Sequence, residues 1–169
     1  PHTHKPHAAS DVFRKRYGDC KDKTVLLLTM LKIAGIESMP ALVPSHREYF
    51  DEKIPSLGAF NHVIAAVPSG NHYFWLDATN EAAAFDSAPF NAASKVFLIN
   101  MDGSYRFIET PAPEPQKDYS TYEAIFKVDK EGNAAADFHY TYYGKAAESF
   151  RFVYKYLPPE QRKIFFEKR

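Results

Sequence analysis

Cys20, His62 and Asp77 are the residues of this sequence whose types suit nucleophilic catalysis. The chain of 169 residues contains a single cysteine, so any thiol chemistry must belong to Cys20. A cysteine thiolate attacks a carbonyl carbon, a histidine carries the proton, and a carboxylate orients the histidine and stabilises its charged form. If the fold brings the three together, they predict a cysteine activated as a nucleophile.

Cys20 stands at the start of a helix predicted over residues 20–34. Asp19 is a good N-cap, and Asp22, three residues later, comes close to a capping box. Gly35 is typical of the residue that ends a helix. Apolar residues at helical spacing predict a stripe that faces the core: Leu27, Met30, Leu31 and Ala34, with Leu28 beside them.

The first turn of a helix favours negative charge, because its N–H groups have no partners within the helix. This position favours the thiolate of Cys20, and Lys21 and Lys23 add positive charge nearby. The alternative is a buried structural thiol, which is the commoner role of a lone cysteine.

Two apolar runs, residues 60–67 and 72–78, are separated by a Pro-Ser-Gly-Asn sequence and predict a β-hairpin. A turn centred on Ser69 and Gly70 would place His62 directly opposite Asp77, with Cβ atoms about 4.5–5.5 Å apart. Asp77 would then accept the proton of one imidazole nitrogen and leave the other for a nucleophile. The alternative is a buried histidine that the carboxylate satisfies for stability alone.

Both faces of this hairpin are apolar, which predicts a sheet that is covered on both sides. One face carries Ile64, Ala66, Tyr73 and Trp75, and the other carries Val63, Ala65, Val67, Phe74 and Leu76. We expect the helix that begins at Cys20 to cover one face, which would place Cys20 near the His62 end of the hairpin.

The remaining pattern predicts an α+β fold. Residues 37–43 indicate a strand and residues 44–58 a loop, and two further hairpins are expected over 95–110 and 121–142, followed by helices over 145–156 and 160–169. Alternating prolines predict a linker over 111–118. The expected organisation is a core over 1–110, that linker, and a partial C-terminal β/α unit over 119–169, with further domains flanking this piece of the full chain.

Composition excludes several classes of function. Twenty-one Lys and Arg balance 21 Asp and Glu, so we expect no nucleic-acid partner, which would need a basic surface. One cysteine excludes an internal disulfide and a multi-cysteine zinc cluster, and no apolar run approaches the roughly 18–20 residues of a transmembrane helix. No metal or other cofactor is expected, because His2, His4 and His7 lie at a terminus without acidic or cysteine partners and indicate only adventitious metal binding.

Three separated motifs carry a resemblance to a known family: Tyr17-Gly18-Asp19-Cys20-Lys21-Asp22-Lys23, Phe60-Asn61-His62-Val63-Ile64 and Tyr73-Phe74-Trp75-Leu76-Asp77-Ala78-Thr79. In this order they resemble the bacterial transglutaminase-like superfamily, above all relatives with a β-rich domain of unknown function ahead of this core. The resemblance is dense from about residue 6 to residue 79. It implies a papain-like fold, with Cys20 as nucleophile, His62 as general base and acid, and Asp77 as the orienting carboxylate.

The resemblance also implies an activity: a thiol enzyme acting on amide or peptide bonds of a peptide or protein substrate, by hydrolysis rather than cross-linking because water is always available. Candidates for the oxyanion hole or the substrate groove are Asn61, Trp75, His46 and Arg47, and Asn61 stands where many relatives carry Asp. Export of such relatives implies the bacterial envelope or periplasm. The alternatives are a catalytically silent papain-like scaffold that binds peptide or glycan, and an acyltransferase with a thioester cosubstrate, as in arylamine acetyltransferases.

Overall fold

The computed structural model describes residues 5–44, 57–85, 87, 95–100, 102–110 and 114–167. The protein is α+β, as predicted, and its internal contacts divide it into two compact units, residues 1–113 and 114–169. The helices are α1 (Ala9–Lys15), α2 (Cys20–Ile33), α3 (Glu148–Tyr156) and α4 (Pro159–Glu167), and two short 3₁₀ helices are present at Leu57–Ala59 and Gly144–Ala147. The strands are β1 (Met39–Val43), β2 (His62–Ser69), β3 (His72–Leu76), β4 (Lys95–Ile99), β5 (Tyr105–Glu109), β6 (Ser120–Val128) and β7 (Ala134–Tyr142).

Helix α2 begins at Cys20, as predicted, and the capping box between Asp19 and Asp22 is present. The predicted stripe is wrong at Met30, whose exposed fraction is 54%, and at Ala34, which is exposed and follows the helix. The inward face also includes Thr24, which is buried and donates its hydroxyl to β2. Three residues of the predicted stripe are half-buried on the same face as Thr24, at three, four and seven residues from it: Leu27, Leu28 and Leu31.

The first unit contains a five-stranded antiparallel sheet in the order β3-β2-β1-β4-β5. The two predicted hairpins, β2–β3 and β4–β5, are both present. Strand β1 lies between them and pairs with β2 on one side and β4 on the other, and α2 packs against β1 and β2.

The register of the β2–β3 hairpin differs from the prediction by two residues. Ser69 pairs with His72, so the turn consists of Gly70 and Asn71. Gly70 has φ +61°, which suits the first central position of a II′ turn; the expected turn would have put Ser69 there. His62 therefore does not lie directly opposite Asp77. Because side chains alternate with period two, a slip of two residues leaves both side chains on the face that the sequence assigned to them.

The core of the first unit is built on that same face of the sheet. Its buried residues are Met39, Ala41, Val43, Ile64, Ala66, Trp75, Val96 and Leu98. On the opposite face Val63 and Ala65 are also buried, so both faces of β2 are covered there, as expected. His62 lies two residues before Ile64, and Asp77 lies two residues after Trp75. Side chains two residues apart on a strand share a face, so His62 and Asp77 lie on the core face, at one end of the core.

The second unit contains the hairpin β6–β7, followed by α3 and α4. Residues 115–118, expected in the linker, form a turn, and Asp118 accepts a hydrogen bond of 2.7 Å from the amide of Lys145. Position 144 requires glycine, because its φ is +55° and a Cβ there would lie 2.3 Å from the carbonyl oxygen of Lys117. None of the helices in the described ranges is long and apolar enough to cross a membrane.

Candidate active site

His62 and Asp77 form a hydrogen-bonded pair at the end of the core sheet. His62 is the first residue of β2, and Asp77 directly follows the last residue of β3. The distance from His62 Nε2 to Asp77 Oδ2 is 2.8 Å, and the side chains expose only 16% and 6% of their surface. The two residues are diagonal rather than opposed across the ladder, a spacing that long side chains can bridge.

Hydrogen bonds keep Asp77 in its charged form although it is largely buried. Burial raises the pKa of Asp77, but hydrogen bonds from His62 and from Thr79 outweigh burial, so the pKa lies below its ordinary value. The two bonds from Thr79, from its hydroxyl at 2.6 Å and its amide at 2.8 Å, both reach Oδ1. Asp77 is thus a carboxylate at neutral pH that can only accept hydrogen bonds.

The charge of Asp77 decides which nitrogen of His62 carries the proton. Because a carboxylate only accepts, Nε2 must donate to it, and in the neutral imidazole the lone pair then lies on Nδ1. Nδ1 is therefore the atom of His62 suited to take a proton from a nucleophile.

Cys20 is a half-buried free thiol at the start of α2. One turn further along the helix, the hydroxyl of Thr24 donates to the carbonyl oxygen of Val63 at 3.0 Å, and Val63 is the neighbour of His62. Residues four apart share a helix face and lie about 6 Å apart along it. The contact therefore holds the first turn of α2 beside the first residues of β2.

The charges around Cys20 differ from those expected. Lys21 Nζ lies 2.6 Å from Asp19 Oδ2, and this hydrogen bond raises the pKa of Lys21, so its positive charge is paired with a carboxylate. The Asp19 side chain also accepts the amides of Lys21 and Asp22. Part of the positive charge and of the N–H groups expected to favour a thiolate at Cys20 is therefore already paired with Asp19.

A second histidine–aspartate contact, which sequence reasoning missed, joins His7 to Asp22 in the first turn of α2. The buried carboxylate of Asp22 accepts the amide of His7 at 2.8 Å and lies 3.1 Å from its Nδ1. The His7 amide bond holds the pKa of Asp22 below its ordinary value although burial opposes this. His7 therefore anchors the N-terminal segment on α2, and Gly18 leaves room, because a Cβ there would lie 2.6 Å from the Cβ of Asp22.

The other site candidates are placed less centrally. Asn61 is exposed and directly precedes β2, whereas Trp75 is 5% exposed and packs in the core beside Tyr73, with ring centroids 5.6 Å apart. His46 and Arg47 lie outside the described residues. Within the described ranges, no group of three or more His, Cys, Asp or Glu side chains is arranged to hold a metal ion.

Thr79 is the functional candidate whose role sequence reasoning did not assign. Its signal was present in the spacing Asp77-Ala78-Thr79, since Asp side chains commonly accept hydrogen bonds from the residue two positions later. No comparable signal links His7 to Asp22, which are 15 residues apart.

Comparison of the chain with protein-family models, with curated proteins and with solved structures finds no match.

Proposed function

We propose that the protein is a thiol-dependent acyl-transfer enzyme with a papain-like, transglutaminase-like core, in which Cys20, His62 and Asp77 form the catalytic triad. The observation that carries this proposal is the largely buried hydrogen bond between His62 Nε2 and Asp77 Oδ2. It gives the histidine a fixed partner and leaves Nδ1 for the thiol. The Thr24–Val63 contact supports the approach of Cys20 to this nitrogen.

In the proposed reaction, His62 Nδ1 takes the proton of the Cys20 thiol, and the sulfur attacks an amide carbonyl carbon. The imidazolium, stabilised by Asp77, then gives that proton to the leaving amine as the carbon–nitrogen bond breaks and a thioester remains. His62 next takes a proton from water, whose oxygen attacks the thioester carbon. It returns this proton to the Cys20 sulfur as the carbon–sulfur bond breaks, so the acid leaves and the thiol is restored. The amide of Cys20, which the capping box does not use, is the proposed oxyanion donor.

We propose hydrolysis of a peptide or protein substrate rather than cross-linking, because water is always available as the acceptor. The resemblance to the transglutaminase-like superfamily supports acyl transfer as the reaction and a place in the bacterial envelope. A catalytically silent scaffold with the same groove is the competing proposal, and reactivity of the thiol separates the two.

The first test is alkylation of the only cysteine with iodoacetamide at pH 7, followed by mass spectrometry. We expect Cys20 to react about tenfold or more faster in the wild-type protein than in His62→Ala, because the histidine promotes thiolate formation. His72→Ala is the matched control, since His72 is an exposed histidine at the start of β3 and should leave the rate unchanged. Equal rates in wild-type protein and His62→Ala would exclude the triad.

The second test is turnover of a peptide library by the wild-type protein, with Cys20→Ala as the inactive control. Release of new amino termini that Cys20→Ala does not produce would support hydrolysis. Peptide binding without cleavage, together with a rate of alkylation independent of His62, would support the silent scaffold instead.

A further inference from the structure

Thr79 holds one oxygen of Asp77 through two separate groups. Its hydroxyl lies 2.6 Å and its amide 2.8 Å from Oδ1, while the other oxygen, Oδ2, lies 2.8 Å from His62 Nε2. The two oxygens of the carboxylate are thus divided between two partners. A carboxylate with one free oxygen can rotate about its Cβ–Cγ bond, whereas one held at Oδ1 presents Oδ2 in a single direction.

Asp77 and Thr79 form a turn in which an Asp carboxylate accepts the hydroxyl and the amide of the residue two positions later. The same kind of turn occurs elsewhere in the first unit without a histidine. Asp102 Oδ1 accepts the hydroxyl of Ser104 at 2.6 Å and its amide at 2.8 Å, the same distances as at Asp77. The Asp102 turn is exposed and connects β4 to β5. A turn of this kind is therefore not in itself a sign of function. The difference at Asp77 is that the carboxylate is buried and its second oxygen lies on an imidazole.

We propose that Thr79 is a positioning residue, which orients the Asp77 carboxylate so that Oδ2 keeps His62 in the tautomer protonated at Nε2. The proposal rests on the proposed function for its catalytic meaning. Because Thr79 is exposed and acts through Asp77, its side chain need not touch the substrate. The backbone amide of residue 79 remains in any variant, so the hydroxyl is the group that can be tested.

The test uses the 169-residue protein and three variants. Thr79→Val removes the hydroxyl and keeps the shape of the side chain, and Thr79→Ser restores the hydroxyl. Ser104→Ala is the matched control, because it removes the same hydrogen bond from the equivalent turn. One readout is the ¹⁵N spectrum of the His62 imidazole, and the other is the rate at which iodoacetamide alkylates Cys20 at pH 7.

We expect the wild-type protein, Thr79→Ser and Ser104→Ala to show one protonated and one unprotonated imidazole nitrogen at His62. In Thr79→Val the two ¹⁵N shifts should move toward each other as the second tautomer becomes populated. The alkylation rate in Thr79→Val should fall by about tenfold, as expected for the loss of a hydrogen bond to a charged group, while the other two variants stay within about twofold of the wild-type rate.

An unchanged His62 spectrum in Thr79→Val would overturn the proposal, as would an equal change in Ser104→Ala. If Thr79→Val does not fold, Thr79→Ala is measured in its place with the same expectation. The spectrum reads the histidine directly, so a changed spectrum with an unreactive Cys20 supports positioning by Thr79 and refutes the enzymatic function alone.

Discussion

The carboxylate of Asp77 is almost out of contact with water, yet three hydrogen bonds keep it ionised. The bonds come from one imidazole and from the hydroxyl and amide of Thr79, and they lower the pKa by more than burial raises it. A group whose pKa is lower in the folded state stabilises the fold at every pH above its unfolded value. The pair with His62 should therefore contribute stability at neutral pH and lose it in acid.

This can be measured by urea unfolding of the wild-type protein and Asp77→Asn between pH 7 and pH 2. We expect Asp77→Asn to be less stable by about 1–3 kcal/mol at pH 7, because it weakens a buried, charge-assisted contact. The difference should persist above the ordinary carboxyl pKa of 3.8 and disappear as the pH falls below it. Asp137→Asn, on the exposed side of β7, controls for the loss of one charge. A difference that is as large at pH 2 as at pH 7 would contradict the assignment.

The elements that present the site were largely predictable, and the contacts between them were not. The start of α2 and the two hairpins of the first unit follow from local signals: a cap, a helix period, and Gly at a turn. The His62–Asp77 contact was also predicted, although through a register two residues from the real one. That error left the outcome unchanged, because a slip of two residues preserves the face. A slip of one would have separated the pair.

The capping box at the start of α2 should contribute measurably to the free energy of unfolding. The Asp19 side chain accepts the amides of Lys21 and Asp22, which would otherwise lack partners. We expect Asp19→Ala to lower the free energy of unfolding by about 1 kcal/mol, and Asp19→Asn to stay close to the wild-type value, because asparagine is an equally good N-cap. Urea unfolding at pH 7 measures both. Equal losses in the two variants would show that the charge of Asp19, rather than the cap, is what stabilises the turn.

At the scale of the whole molecule, the position of β1 in the sheet could not be predicted from local sequence signals. This strand lies between the two hairpins and joins them into one sheet, and its pairing with β4 links residues more than 50 positions apart. Such long-range pairing depends on how distant strands meet in the fold, which no local pattern records. The partner of Asp22 was hidden for the same reason, since it lies in the N-terminal segment.

The hydrogen bonds that define the candidate site all lie within the first unit. The His62–Asp77 pair, the Thr79 bonds and the Thr24–Val63 contact belong to residues 1–113, which form one compact unit with its own sheet and core. We therefore expect a protein consisting of residues 1–113 to fold, and its Cys20 to react with iodoacetamide within about twofold of the rate in the 169-residue protein. His62→Ala in the short protein should slow the reaction as much as we expect it to in the 169-residue protein. A folded short protein that has lost this dependence on His62 would show that residues 114–169 help to form the site.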